Sequence, residues 1–137
     1  LWPLVYIYSS RGYDSNGFCL QVLQMIQFKL NQKPLSINQA WQGKRFKSPA
    51  YKTYEKEMLL LMPKAKIEID QMLRIEFFFG FSNSVSDLDN PVKLLIDIAQ
   101  KKYGFNDKMV FELNVRKCIV KKGEEFIHMG IYKMLPF

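Results

Sequence analysis

The chain has 137 residues, 48% hydrophobic and 15% aromatic, and 20 Lys and Arg against 13 Asp and Glu give a formal charge of +7. That is enough apolar material for one core in one domain, and too much for a disordered basic tail. The longest apolar runs, such as residues 58–62, fall far short of the roughly 20 residues of a membrane span. Two cysteines, Cys19 and Cys118, make no disulfide framework and suit reducing surroundings, and a single His128 without a CxxC leaves no structural zinc site. The charge suits a polyanionic partner, with nucleic acid foremost.

Residues 1–24 hold one base and one acid, Arg11 and Asp14, so the whole positive excess follows them. Residues 1–8 are apolar but lack the basic region and small-residue cleavage site of a signal peptide. Residues 9–17 read as loop. Met25 stands directly before a strand-like segment and reads as a natural start. Residues 1–24 are then an N-terminal extension (upstream translated sequence or a cloning leader), with a genuine extra edge strand as the alternative.

The main domain is expected over 25–137. Its first strand covers about 25–31, with Ile26, Phe28 and Leu30 on one face. A long loop, 34–48, carries Trp41, Lys44, Arg45 and Lys47. Ser48 as N-cap and Pro49 at the first helical position start a helix that runs to about 62 and stops at Pro63. The strand at 71–81 is apolar enough for a sheet centre, and 82–86 is a polar loop. Val92, Leu95, Ile96 and Ala99 define one face of a helix over 91–103, which Gly104 ends. Strands at 110–120 and 125–134 are joined by the turn 121–124 as a hairpin. The fold class is therefore α/β (α+β): a small single domain with a mixed sheet of about four strands and two main helices.

The chemistry concentrates at Ser86-Asp87-Leu88-Asp89-Asn90-Pro91-Val92-Lys93. In an extended segment Asp87 and Asp89 point to the same side and can converge on one cation. Hard oxygen donors suit Mg²⁺ or Mn²⁺. Lys93 lies one helical turn after Asp89. Asp107 is a third carboxylate beyond the helix. A helix of about 13 residues is some 20 Å long, so Asp107 reaches the first two only if the chain runs back alongside them. The plainer alternatives are that Asp89 caps the helix, Lys93 pairs with Asp89 or Asp97, and Asp87 and Asp107 are turn residues.

Asp87-Leu88-Asp89-Asn90 followed by Lys93 and Asp97, then Gly104-Phe105-Asn106-Asp107 before Val110, resembles the core motif of the RusA family of Holliday junction resolvases. A second stretch supports the resemblance. Pro34-Leu35-Ser36-Ile37-Asn38-Gln39-Ala40-Trp41, with Gly43-Lys44-Arg45-Phe46-Lys47-Ser48-Pro49 and Tyr51-Lys52, is similar to the family's N-terminal loop before its first helix. The likeness spans roughly 25–134, and residues 1–24 have no counterpart in it.

The resemblance implies a Mg²⁺-dependent homodimeric endonuclease, with Mn²⁺ able to substitute, that nicks opposite strands of a four-way DNA junction in recombination and repair. It implies a bacterial or phage-encoded cytoplasmic protein, associated with the nucleoid, with no membrane partner and no small-molecule cofactor. Asp87, Asp89 and Asp107 would bind the metal, and Lys93 would be the functional lysine. Three departures stand out: Asn106 where many members have an acid, Met109 in place of a common Gln, and Pro91 directly after the motif.

Phosphate contacts are expected from Lys44, Arg45, Lys47 and Lys52 in the loop and first helix, and from Lys101, Lys102, Lys108, Lys117, Lys121 and Lys122 later in the chain. Trp41 and Phe46 would stack on unpaired bases or pack in the core. A nuclease for flaps or other branched DNA, and a non-catalytic basic DNA-binding module, are the competing readings.

Overall fold

The structure is a computed structural model that describes residues 6–8, 12–13, 19–20, 25–42, 46–67 and 70–134, with side chains described from Ile26 onward. In chain order the strands and α-helices are β1 (Tyr6–Tyr8), β2 (Gly12–Tyr13), β3 (Cys19–Leu20), β4 (Met25–Leu30), α1 (Ile37–Ala40), β5 (Trp41–Gln42), β6 (Phe46–Lys47), α2 (Pro49–Leu61), β7 (Leu73–Phe81), α3 (Val92–Tyr103), β8 (Val110–Ile119) and β9 (Phe126–Lys133). The main sheet has the order β1-β4-β9-β7-β8, and β2-β3 and β5-β6 form separate two-stranded ribbons. All pairings in the main sheet are antiparallel except β7 with β8. This is the small mixed α/β architecture expected. The outermost strand, β1, pairs Tyr6–Tyr8 with Gln27–Met25 of β4; the rest of the 1–24 segment lies largely outside the described residues.

Alternation along each central strand explains the layers. Ile26, Phe28 and Leu30 of β4 are buried, as are Leu73, Ile75, Phe77 and Phe79 of β7 and Ile127, Met129 and Ile131 of β9. These faces join Met58 of α2 and Leu95, Ile98 and Ala99 of α3 in one core. The period of two on the strands and 3.6 on the helices brings these apolar residues into one layer. Ser48 starts α2 as expected, its Oγ accepting the Tyr51 N–H at 3.1 Å. Gly104 ends α3 in the left-handed region at φ 79°, which suits a residue with no Cβ.

Two expectations are corrected. The strands at 110–120 and 125–134 do not form a hairpin: β7 lies between them, parallel to β8 and antiparallel to β9. The reason is the difference between the two strands. Ile127, Met129 and Ile131 need a fully covered position, whereas β8 is exposed along most of its length and belongs at an edge. The segment 34–48 is also not simply a loop. Ser36 caps the short α1, and the strand pair β5-β6 follows it. Ala40, Tyr51 and Leu94 pack there as a second, smaller core that ties α1 to α2 and α3.

One carboxylate links three elements. Glu55 of α2 accepts from Lys47 of β6 at 2.7 Å and from Lys101 of α3 at 2.6 Å. Burial raises the Glu55 carboxyl, but the bonds from Lys101 and Lys47 outweigh it and hold it below the usual carboxylate range. The stability this provides is fully present above pH about 4.5 and is lost as pH falls through that value toward the lowered one. Glu55→Gln should cost about 2 kcal/mol at neutral pH, and the difference from the unsubstituted protein should shrink below pH 4.5. Urea unfolding at pH 7 and pH 3.5 measures both.

Candidate functional site

The loop that carries Asp87 is built by one amide. Asn83 Oδ1 accepts from the Val85 N–H at 3.2 Å, the Ser86 N–H at 2.9 Å and the Ser86 hydroxyl at 2.8 Å. Lys117 Nζ then donates to the Ser86 carbonyl at 2.7 Å, anchoring the loop to β8. Composition alone did not single out Asn83 or Lys117 for this role. The signal that could have is an Asn within the Ser-rich run 82–86, the composition of an Asx turn.

Asp89 does not cap α3 with its side chain. The position before the helix is Pro91, which makes no side-chain cap, and the Asp89 carbonyl accepts the Val92 N–H at 3.0 Å. Asp87 and Asp89 are both exposed, and neither side chain has a partner among the described residues.

Lys93 pairs with Asp97 and Asp107 and not with Asp89. Its Nζ lies 2.8 Å from Asp97 Oδ1 and 3.1 Å from Asp107 Oδ2. Asp107 is brought there because the chain turns back after Gly104. Asn106 Oδ1 accepts the Lys108 N–H at 3.1 Å and starts a short 3-10 turn, Asp107–Met109, that leads into β8. Asn106 thus has a capping role. Gln100, with its amide nitrogen toward Asp97, donates to Asp97 Oδ1 at 3.3 Å and accepts the Asp107 N–H at 2.9 Å, fixing this return to α3. Hydrogen bonds from Lys93 to Asp97, and then to Asp107, raise the Lys93 pKa. The group is a permanent cation at neutral pH and no general base.

The two motifs, some fifty residues apart in sequence, meet. The Ile37 N–H donates to the Asn90 carbonyl at 3.1 Å. A cleft of about 290 Å³ lies between them, lined on one side by Lys33, Ser36 and Gln39 and on the other by Ser86, Asp87 and Asn90.

The carboxylates themselves are more dispersed. Asp107 is gathered with Lys93 and Asp97, Asp87 lines the cleft, and Asp89 lies on the turn between. No group of three or more His, Cys, Asp and Glu side chains is disposed to hold a metal among the described residues. The donor chemistry nevertheless suits a hard divalent ion, since Asp87 and Asp89 offer carboxylate oxygens that no described side chain engages.

The basic residues divide by what they already touch. Lys47 and Lys101 are held by Glu55, Lys102 donates to the Leu59 carbonyl at 2.8 Å, and Lys117 is committed to the Asp87 loop. Lys52, Lys108, Lys121 and Lys122 are exposed with no side-chain partner among the described residues. Lys44 and Arg45 lie outside the described residues. Phe46 is 74% exposed, whereas Trp41 is 39% exposed and stacks on Tyr51 with ring centroids 5.7 Å apart.

The chain matches no protein-family model, and no curated protein is significantly similar to it. No helix among the described residues is long and apolar enough to cross a membrane.

Because the Lys93 side chain is 56% exposed, its two ion pairs should add little to stability. Lys93→Ala should shift the free energy of unfolding by about 0.5 kcal/mol or less. Chemical denaturation monitored by circular dichroism checks this.

Proposed function

We propose that the chain is a Mg²⁺-dependent, structure-specific endonuclease of the RusA type that resolves four-way DNA junctions by paired nicks. The observation that carries the proposal is the meeting of its two motifs. Residues 34–41 and 86–90 have no reason in their own sequences to adjoin, yet they are hydrogen-bonded through Ile37 and Asn90 and share one cleft.

Asp87 and Asp89 would hold the ion, and Asp107 would complete the set. Such an ion neutralises charge on the phosphate oxygens and lowers the pKa of a bound water. The remaining work falls to the chain's own residues. Asn83 and Lys117 hold the Asp87 loop in one conformation, so its carboxylate is positioned before substrate arrives. Lys93 carries a fixed positive charge beside Asp107, placed to offset negative charge that builds on a phosphate in the transition state. Asp97 and Gln100 keep Lys93 and the Asp107 backbone in register with α3. Lys52, Lys108, Lys121 and Lys122 are free to meet phosphates, a sequence-neutral contact that weakens steeply with salt. Exposed Phe46 offers a ring for an unpaired base at a branch point.

One observation favours a second reading. The three aspartates do not converge on a single point, as expected of a non-catalytic DNA-binding module whose acids are only surface groups. Cleavage of four-way junctions, flaps and linear duplex in Mg²⁺ or Mn²⁺ separates the readings. Nuclease function predicts junction nicking that falls about 100-fold or more in Asp87→Asn and Asp89→Asn, with junction binding retained or tightened because local negative charge is removed. Lys93→Ala should lose rate to a similar degree while remaining folded. Wild-type nicking by Asp87→Asn would refute the site assignment, and no turnover with either metal would leave the binding module.

A further inference from the structure

Two carboxylates hold Lys93, and they hold it unequally. Asp97 is its neighbour one turn along α3, at 2.8 Å, and Asp97 Oδ1 is also reached by Gln100 at 3.3 Å. Both contacts lie within α3, so they do not depend on where the chain runs after Gly104. Asp107 comes from that returning chain and lies 3.1 Å from Lys93, and its side chain is the more exposed, at 46% against 32%. Among the described residues its carboxylate has no other partner. Asp97 is therefore the fixed partner of Lys93, and Asp107 the exchangeable one.

Asp107 is also the acid that the proposed metal set must recruit. It is drawn to Lys93 while Asp87 lines the cleft, and the acids are not gathered to hold a metal among the described residues. We propose that Lys93 is a displaceable counter-ion of Asp107. A divalent cation takes Asp107 from the lysine, and Asp97, as a positioning residue, keeps the lysine beside the site. This rests on the reading of Asp87, Asp89 and Asp107 as metal ligands, and it adds an order to that reading: the lysine is released toward substrate only once the ion is seated.

Size and charge favour the exchange. Magnesium carries two charges and approaches a carboxylate oxygen to about 2.0–2.1 Å, whereas the ammonium carries one and lies 3.1 Å away. An exposed ion pair is a weak competitor, since water and salt screen it. The backbone need not move. Gln100 accepts the Asp107 N–H at 2.9 Å and Asn106 caps the turn that follows, so only the Asp107 side chain changes partner. Nor is a charge stranded: Lys93 keeps Asp97, and the N–H it withdraws from Asp107 is free to meet a phosphate. While both acids share the one lysine, the group carries an excess of negative charge that disfavours a phosphate.

Metal affinity, measured without DNA, tests the exchange. Free Mn²⁺ is counted by electron paramagnetic resonance as it is titrated into the intact chain at about 0.15 M salt, where long-range fields are largely screened. Lys93→Met should tighten Mn²⁺ binding about fivefold. In an Asp107→Asn background the same substitution should change it by about twofold or less, because the contested carboxylate is gone. A melting curve establishes that each variant is folded. Mg²⁺ gives a second readout: the Lys93 Cε resonance, assigned by its loss in Lys93→Met, should shift as the ion is added and saturate with it. An equal factor in the two backgrounds overturns the exchange, because the lysine then acts only through its field. So does Mn²⁺ binding that Lys93→Met leaves unchanged or weakens, or a Lys93 resonance that stays fixed while the ion binds. Those results leave the nuclease reading standing. If none of these proteins binds Mn²⁺, the metal set itself falls, and the nuclease reading falls with the exchange.

Discussion

The sheet is organised around the burial of β7. Leu73, Ile75, Phe77 and Phe79 are essentially inaccessible, and Phe77 stacks on Phe79 with centroids 5.4 Å apart. A strand this apolar on one face needs neighbours on both edges and helices above it. β9 and β8 take the edges, and α2 and α3 take the face. On its other face Phe78 packs edge-on to Phe126 and under Arg116. That face admits Phe126 because Gly80 leaves room: a Cβ there would meet the Phe126 ring at 2.5 Å. Each fully buried phenylalanine contributes roughly 2–3 kcal/mol of transfer free energy, so displacing β7 would cost more than any surface interaction could offset.

The position of the candidate site follows from that arrangement. Since β8 runs parallel to β7, the chain must cross from one end of β7 to the other, and α3 makes the crossing. The crossing starts at the Asp87–Asp89 turn and ends at Asp107. Lys93, near its start, still touches Asp107 because the residues after Gly104 fold back along the helix. Asp87 and Asp89 thus stay free at one end of the crossing while Asp107 is already neutralised by Lys93. The site is electrostatically divided: two unpaired carboxylates on one side, and a carboxylate pair sharing a lysine on the other.

Much of this was legible in the sequence where the signal was local. The cap at Ser48, the stop before Gly104 and the alternation in β4 and β7 depend on neighbours within a few residues, and the structure has them. The pairing of β8 and β9 was not legible, because a short turn with glycine at 123 looks the same whether the strands it joins are adjacent or separated by one. The burial of Ile127 and Met129 decides the matter, and that depends on β7, nearly fifty residues earlier. Asp89 posed a similar difficulty. A carboxylate before a helix suggests a cap, but Pro91 occupies that position and leaves the acid without a structural task. The pairing of Lys93 with Asp97 was among the options the spacing allowed, whereas the Gln100 bridge to Asp107 depends on how the chain returns after the helix.

The net charge of +7 therefore overstates what is available to a polyanion at any one place. Glu55 holds two lysines, Asp97 and Asp107 hold Lys93, and backbone carbonyls take Lys102 and Lys117. A committed lysine still contributes to the long-range field, but it gives up a hydrogen bond before it can make one to a phosphate. Free lysines carry no such cost. Lys108 is next to Asp107, and Lys121 and Lys122 lie in the connection that follows β8 and leads to β9. Under the proposed function, phosphate contact should begin with these residues and with Lys52, and each that engages a phosphate would steepen the salt dependence by about one counterion. The lysines that shape the Asp87 loop and the α2–α3 contact are better understood as structural ties than as groups available to a polyanion.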